Sequence, residues 1–223
     1  AVDNWGLGFG ESGKELQPTG NATADELKQY DTYYIGSKEE KVIYLTFDCG
    51  YENGNTEKIM AALKKHNAPA TFFVVGNFLE TSPELVKKMV KEGYTVGNHT
   101  YHHVQLNKLN ETKAREEILK TNNLIYETTG VYPLYLRPPF GAWKKNLELC
   151  VEMLPVFWTI DTLDWKVQNT EKIVHTVQEQ IEDGAIILMH DEYDTSVEAA
   201  LQVVDELKSQ GYELVTVDQL ILP

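Results

Sequence analysis

The chain has 223 residues, of which 42% are hydrophobic and 24% are charged, a composition that excludes a wholly disordered or fibrous protein. Its 20 basic and 34 acidic residues give a formal net charge of −14, which disfavours nucleic acid or an anionic membrane surface as a partner. No apolar run approaches the roughly 18–20 residues of a membrane-spanning helix, and two cysteines are too few for a disulfide framework. We therefore expect a globular protein with no integral membrane segment, and a monomer is the expected oligomeric state.

Residues 1–40 show no periodicity because glycines interrupt them, and we interpret them as an irregular arm, with a short helix over 24–30, packed on the following domain. Strands are predicted over 42–47, 70–75, 94–98, 134–137, 156–160, 185–189 and 212–216. Helices are predicted over 56–66, 83–92, 111–128, 146–153, 170–181 and 197–209. This alternation predicts one α/β domain over 41–223, with a parallel sheet. A distorted (β/α) barrel of about seven strands is the first expectation, and an open doubly wound sheet is the alternative.

Side chains that can transfer a proton, bind a metal or carry a charge recur where the predicted strands end. They are Asp48, Cys49, His99, His103, Arg137, Asp161, Asp164 and His190. Active sites of barrels and open α/β sheets are built at this carboxyl edge. A single Asp or His there is more simply interpreted as a loop cap, but five such strand ends together indicate an active site.

The segment from His99 to His103 is the most local signal for a metal. Two imidazoles four residues apart on one helical turn point the same way and can share a cation, whereas His102 lies off that face. The alternative is an ordinary pair of surface or core histidines. A third ligand would come from Asp48 or Cys49, and this mixture of ligands favours zinc.

Five motifs in order carry a resemblance to a known family. They are Thr46-Phe47-Asp48-Cys49-Gly50, His99-Thr100-x-x-His103, Arg137-Pro138-Pro139-Phe140-Gly141, Asp161-x-x-Asp164-Trp165 and Leu188-x-His190. Together they resemble the motifs of the polysaccharide deacetylases of carbohydrate esterase family 4, the NodB-like domain. The continuation 51–54 looks like the sporulation-linked peptidoglycan deacetylases, whereas 161–165 looks like the peptidoglycan N-acetylglucosamine deacetylases.

The resemblance implies a metal-dependent hydrolase that removes N-acetyl groups from a cell-wall glycan outside the cytoplasm. The metal would be zinc, with cobalt or manganese as alternatives. Asp48 would be the general base and His190 the general acid, while His99 and His103 would bind the metal. These roles suit amide hydrolysis, because an amide carbonyl is a poor electrophile and an amine is a poor leaving group.

The remaining motif residues would support the reacting groups or bind the sugar. Arg137 would keep Asp48 ionised, and Asp164 would keep His190 protonated. Asp161 would either assist them or cap its loop. The predicted substrate-binding residues are Tyr51, Pro139, Phe140, Trp165 and Leu188. Of these, Trp165 and Leu188 would wall the pocket for the acetyl methyl group, and the Tyr51 backbone N–H would face the oxyanion.

Cys49 departs from the resemblance, since the family has a second Asp, a metal ligand, at this position. Three interpretations are open: a thiolate ligand, a weaker site built from the two histidines and water, or a buried bystander. A fourth, a nucleophilic cysteine, is disfavoured because the motifs assign the attack to water. Two alternative functions stay open, the first because of the missing ligand and the second within the same esterase class. One is a catalytically impaired glycan-binding module on the same fold, and the other is an O-deacetylase acting on xylan.

Overall fold

The structure, a computed structural model, describes residues 33–143 and 151–221. The strands of this part are β1 Val42–Cys49, β2 Thr71–Val74, β3 Thr95–Asn98, β4 Tyr135–Leu136, β5 Leu154–Pro155, β6 Ile160–Asp161, β7 Ile186–His190 and β8 Glu213–Val215. The α-helices are α1 Asn55–Lys65, α2 Gly76–Thr81, α3 Pro83–Lys91, α4 Glu111–Thr129, α5 Asp164–Val167, α6 Thr170–Gln180 and α7 Asp194–Ser209. None of the described helices is both long enough and apolar enough to cross a bilayer.

All the strand pairs are parallel, and they form one sheet with β1 near its centre. The order is β5-β4-β3-β2-β1-β7-β6, and β8 pairs with the first residues of β1. Residues of β1, β2, β4, β7 and β8 share one core cluster inside the sheet, as a curled sheet requires. Within the described ranges no strand ladder joins β5 to β6, so the barrel is incomplete. The predicted distorted barrel is therefore confirmed in preference to the open doubly wound sheet.

Local sequence signals explain most of the element boundaries. Every residue of β1 is buried, as the continuous apolar run from 42 to 47 predicts for a strand covered on both faces. The Asn110 side chain accepts a hydrogen bond from the Lys113 N–H and caps α4, which ends at Gly130 with φ 76°. In α1 the residues with helical spacing, Ile59, Met60 and Leu63, are the ones that face the core.

The predicted strand over 156–160 is wrong. The chain instead forms the short strands β5 and β6 at either end of this range, and the segment between them is irregular. The Arg137 side chain donates hydrogen bonds to the carbonyls of Val156 and Phe157, and these bonds take the place of ladder partners. Nearby, Tyr33 forms a parallel bridge with Val156, so the described end of the arm contacts the sheet. The predicted helix over 24–30 and most of the one over 146–153 lie outside the described residues.

Side chains of β1 alternate between two layers of core. Leu45, Phe47 and Cys49 belong to the layer between the sheet and helices such as α1 and α7. Val42 and Tyr44 belong to the layer inside the curled sheet. Asp48 lies four residues after Tyr44, and every second residue of a strand points to the same face. The Asp48 side chain therefore also faces the barrel interior, at the carboxyl end of the strand.

Candidate active site

A cleft of about 1070 Å³ opens at the carboxyl edge of the sheet. Asp48 is the second-last residue of β1, His99 follows β3 and His190 ends β7, and all three line this cleft together with His103. Asp48 and His190 are register partners in adjacent strands, so their side chains project from neighbouring positions of one face. The structure thus brings together residues that are up to 142 positions apart in the sequence.

Arg137 holds the Asp48 carboxylate from inside the barrel. The Arg137 guanidinium is fully buried, and its Nη1 donates to Asp48 Oδ1 at 2.9 Å and to Thr46 Oγ1 at 2.7 Å. Burial alone would raise the pKa of the Asp48 carboxyl, but electrostatic interactions with His99, which is protonated only at acidic pH, and with the Arg137 and His190 cations outweigh it and lower that pKa. Asp48 is therefore ionised at neutral pH.

His99 and His103 lie on a loop rather than on a helical turn, so that part of the prediction is wrong. We call residues 99–105 the histidine loop. Its backbone is left-handed at Thr100, with φ 65°, and at His103, with φ 53°. The two imidazole rings nevertheless meet, with centroids 4.9 Å apart.

The two imidazoles are neutral at pH 7. Burial lowers the pKa of His99 to about 4 despite the attraction of Asp48, whose Oδ2 lies 3.3 Å from His99 Nε2. The other ring nitrogen, Nδ1, donates to the Arg137 carbonyl at 2.7 Å, which leaves the Nε2 lone pair facing the cleft. The cleft walls also desolvate His103 and lower its pKa. Both rings are thus in the form that binds a metal ion.

His190 is held in the opposite state. Burial would lower its pKa, but the hydrogen bond from Nδ1 to Asp164 Oδ1, 2.7 Å long, and the charge of Asp164 raise the pKa to about 9. Asp164 is fully buried and its Oδ2 accepts from the His190 N–H and the Ser196 hydroxyl, each at 2.7 Å. A fixed carboxylate therefore keeps a proton on the cleft histidine.

Asp161 lines the cleft and also caps its own loop. Its Oδ1 accepts a hydrogen bond from the Leu163 N–H at 2.9 Å, and burial raises its pKa. The loop-cap interpretation of Asp161 therefore has a contact to support it.

Exposed aromatic rings surround the mouth of the cleft. Tyr51, Phe140 and Trp165 line it and expose 48%, 58% and 48% of their surface, and Leu188 forms part of the floor. Pro139 is the exception among the predicted substrate-binding residues, because it is buried and outside the lining. Pro138 takes that place in the cleft wall.

Cys49 does not reach the cleft. Its neighbour Asp48 faces the barrel interior, so strand alternation directs the thiol into the core on the other face of the sheet, where it is fully buried. Burial and the nearby Asp191 carboxylate raise the pKa of the thiol well above its ordinary value. The placement matches the buried-bystander interpretation and opposes the thiolate-ligand interpretation.

The cleft offers two imidazoles and one carboxylate as candidate ligands for a divalent cation. A catalytic zinc site has three protein ligands, and no group of three or more His, Cys, Asp and Glu side chains in residues 33–143 and 151–221 is arranged to hold a metal. Two neutral imidazoles with free lone pairs beside an ionised carboxylate still suit such an ion chemically. The residues therefore fit a cation held by His99 and His103 more weakly than a three-ligand site would hold it.

Several features of the cleft were not predicted from the motifs. Thr46 belongs to the first motif, but its role in supporting Arg137 was not predicted, and Ser196, which supports Asp164, and the cleft residues Glu80 and Glu192 lie outside all five motifs. Four left-handed residues other than glycine lie in its loops, namely Thr100, His103, Phe140 and Leu163. Such strained positions cluster at functional sites.

Comparison with known proteins agrees with this geometry. The polysaccharide deacetylase family matches residues 35–158. The chain belongs to the polysaccharide deacetylase family. This membership confirms the predicted NodB-like domain and its deacetylase class.

Two curated relatives and one solved structure illustrate the similarity. The peptidoglycan-N-acetylmuramic acid deacetylase PdaA of Bacillus subtilis is 37% identical over 98% of this chain and 85% of its own length. The peptidoglycan-N-acetylglucosamine deacetylase PgdA of Listeria monocytogenes is 40% identical over 82% of this chain and 40% of its own length. The structure of B. subtilis PdaA, a family 4 carbohydrate esterase, covers 98% of this polysaccharide deacetylase and 96% of that chain, with a TM-score of 0.88 and 34% identity.

Proposed function

We propose that the protein removes the N-acetyl group from an amino sugar of peptidoglycan and releases acetate. One observation carries the proposal. Asp48 and His190 occupy register-paired positions of one cleft, and Arg137 keeps the first ionised while Asp164 keeps the second protonated. Amide hydrolysis needs this combination of a base and an acid.

Asp48 acts as the general base in this reaction. It takes a proton from the attacking water, whose oxygen bonds to the acetyl carbonyl carbon. Because Asp48 Oδ1 is engaged by Arg137, the proton goes to Oδ2, the oxygen that faces His99. Positioned base catalysis of this kind contributes about 10²–10⁴-fold to the rate.

His190 acts as the general acid. The bond between the carbonyl carbon and the sugar nitrogen breaks as the nitrogen takes a proton from His190 Nε2, since Nδ1 is held by Asp164. The products are acetate and the free amino sugar. A proton donor is needed because an amine anion is a very poor leaving group.

His99 and His103 would hold a divalent cation, which we propose to be zinc. When bound, the cation polarises the acetyl carbonyl and lowers the pKa of water toward about 7. The exposed rings of Tyr51, Phe140 and Trp165 bind the apolar faces of sugar rings beside the reacting group.

The substrate is proposed from the relatives. PdaA is named for N-acetylmuramic acid and PgdA for N-acetylglucosamine, so the peptidoglycan sugar is one of these two. Because this glycan lies in the cell wall, we propose that the protein works outside the cytoplasm, as a monomer.

The test measures acetate release from peptidoglycan, chitin oligomers and acetylated xylan, each with and without a chelator. We expect release from peptidoglycan, loss with chelator and restoration by zinc. Asp48→Asn should lower kcat by about 10²–10⁴-fold while glycan binding persists. Asp205→Asn is the control, because this α7 carboxylate contacts His66 Nδ1 at 2.8 Å outside the cleft.

Other outcomes would contradict the proposal. Release from xylan alone would assign an O-deacetylase. No release from any glycan with zinc, cobalt or manganese present, together with retained glycan binding, would assign a binding module.

A further inference from the structure

We propose that Glu117 of α4 is a positioning residue that holds the histidine loop in the conformation that brings His103 to the cleft. The inference rests on the proposed function only for the role of His103. The hydrogen bonds between Glu117 and the histidine loop are independent of that function.

The loop adopts a backbone conformation that its own residues disfavour. Thr100 and His103 are both left-handed, with φ of 65° and 53°. Residues other than glycine rarely adopt such angles and keep them only where surrounding contacts impose them. The loop's own hydrogen bond, from the Val104 N–H to Thr100 Oγ1, spans this segment, and the Gly76 N–H donates to the Tyr101 carbonyl from outside. A further contact must hold the N–H side of the segment.

Glu117 provides that contact with both of its oxygens. Its Oε2 accepts hydrogen bonds from the N–H groups of Tyr101 at 3.1 Å and His102 at 2.9 Å. Its Oε1 lies 2.6 Å from His102 Nδ1. Two successive N–H groups that converge on one anion form a concave binding site for it. The carboxylate thus fixes the residues between Thr100 and His103.

The two cleft histidines depend on this contact to different extents. His99 is anchored separately, because its N–H donates to the Val74 carbonyl and its Nδ1 bonds to the Arg137 carbonyl. His103 follows the Glu117-bound residues directly. Loss of Glu117 should therefore displace His103 and spare His99.

The network also explains His102, which no proposed catalytic step uses. Its ring is 64% exposed, whereas the Glu117 side chain that it meets is only 14% exposed. His102 covers the outer side of the Glu117 carboxylate and so strengthens its hold on the loop.

The experiment compares Glu117→Ala with Glu116→Ala, which removes an exposed carboxylate from the next position of the same helix. Ring signals of His99 and His103 are recorded by ¹⁵N NMR without metal, after assignment with His99→Gln and His103→Gln. Glu117→Ala should move or broaden the His103 signal and leave that of His99 in place. Zinc titration against a chromophoric chelator should show affinity lowered by about 10–100-fold.

Two further variants separate positioning from a general structural effect. Glu117→Gln keeps an oxygen that can accept both backbone N–H groups, so it should restore the wild-type His103 signal. Glu117→Asp keeps the charge but is one methylene too short, so it should move or broaden the His103 signal as Glu117→Ala does. If Glu117→Ala does not fold, the His103 signal of Glu117→Asp tests the inference in its place.

An unchanged His103 signal in both Glu117→Ala and Glu117→Asp would overturn the inference. The NMR result does not depend on turnover. Absence of acetate release would therefore count against the proposed function alone, and a loop that Glu117 does not hold would count against this inference alone.

Discussion

The side chain of Arg137 is buried together with the carboxylate that it neutralises. Its guanidinium is fully buried, donates to Asp48, and also bonds to the carbonyls of Val156 and Phe157. Removing one partner of such a pair leaves the other charge buried and uncompensated. The catalytic group and the stability of the barrel interior therefore depend on the same contact.

Arg137→Met should lower the free energy of unfolding by about 3–5 kcal/mol. The reason is that the buried Asp48 carboxylate and two backbone carbonyls lose their hydrogen-bond donor. Urea denaturation at pH 7 measures the change, and Arg115→Met, at an exposed position of α4, is the matched control. Equal midpoints for the two variants would show that the Asp48 charge is not buried in solution.

Asp164 sets the protonation of His190 in the folded protein. The pKa of His190 is raised to about 9 because the bond and charge of Asp164 outweigh burial. Activity that needs the protonated ring should be retained through neutral pH and fall as the pH rises through about 9. The stabilisation from this pair should be complete below the ordinary pKa of 6.5 and disappear between 6.5 and 9.

Asp164→Asn should shift the alkaline limb of kcat down from near pH 9, because burial is then opposed only by the charges of Asp48 and Asp161. A limb that moves to pH 6.5 would cost about tenfold in rate at pH 7.5, since each pH unit above the pKa removes about nine tenths of the protonated form. A pH profile of acetate release measures the shift, and the exposed Asp194→Asn is the control. An alkaline limb that stays near pH 9 would mean that another group is the acid.

Single residues were predictable from the sequence where the chemistry of a motif requires them. Asp48, His99, His103 and His190 could be named because Asp and His recur at strand ends. Ser196 could not, since a serine in the first turns of a helix has no signature that distinguishes it from a capping residue. Cys49 was ambiguous in sequence, and only the direction in which the strand presents it excludes it from the cleft.

At the scale of elements, the cleft loops carry the conformational strain. Phe140 lies in a 3₁₀ turn over Pro139–Gly141 with φ 62°, and its ring packs against His103 with centroids 4.8 Å apart. The left-handed backbone presents the ring to the cleft mouth at a cost that a glycine would not incur. The turn therefore places an aromatic ring at the cleft mouth at some cost to the stability of the folded protein.

Phe140→Gly should be more stable than Phe140→Ala by about 1 kcal/mol, although both lack the ring. At an ordinary exposed position the order is reversed, with Ala more stable by about 0.5–1 kcal/mol. Thermal denaturation compares the two variants, and both should raise KM for the glycan equally. If Phe140→Ala is the more stable, the turn in solution is not left-handed.

Elements with strong periodicity were predictable, and the irregular ones were not. Helix α4 matches its predicted range within one residue, because Asn110 and Gly130 mark its two ends. The histidine loop was mistaken for a helical turn since the spacing of its histidines fits both. The sequence has no local sign that Glu117, on another element, holds that loop.

At the scale of the whole molecule, the parallel sheet gathers the site. β1 lies between β2 and β7, and its last residues reach the cleft on one face and the core on the other. Alternation of strands and helices predicts this architecture, including the edge at which active sites form. The alternation does not predict that the barrel is open between β5 and β6. Near β5, the Arg137 side chain takes up a backbone carbonyl that a strand partner would otherwise bind.

The burial of Cys49 at the centre of the sheet makes its thiol a reporter of global unfolding. In a Cys150→Ser background, alkylation of Cys49 under native conditions should be at least about 10³-fold slower than that of a free thiol, because only opening of the core exposes it. Its raised pKa slows the reaction further, since the thiolate is the nucleophile. Mass spectrometry over a urea series measures the rate, which should rise in parallel with the unfolded fraction. Fast alkylation in the absence of urea would mean that the carboxyl end of β1 opens on its own, and Cys49 could then reach a metal in the cleft.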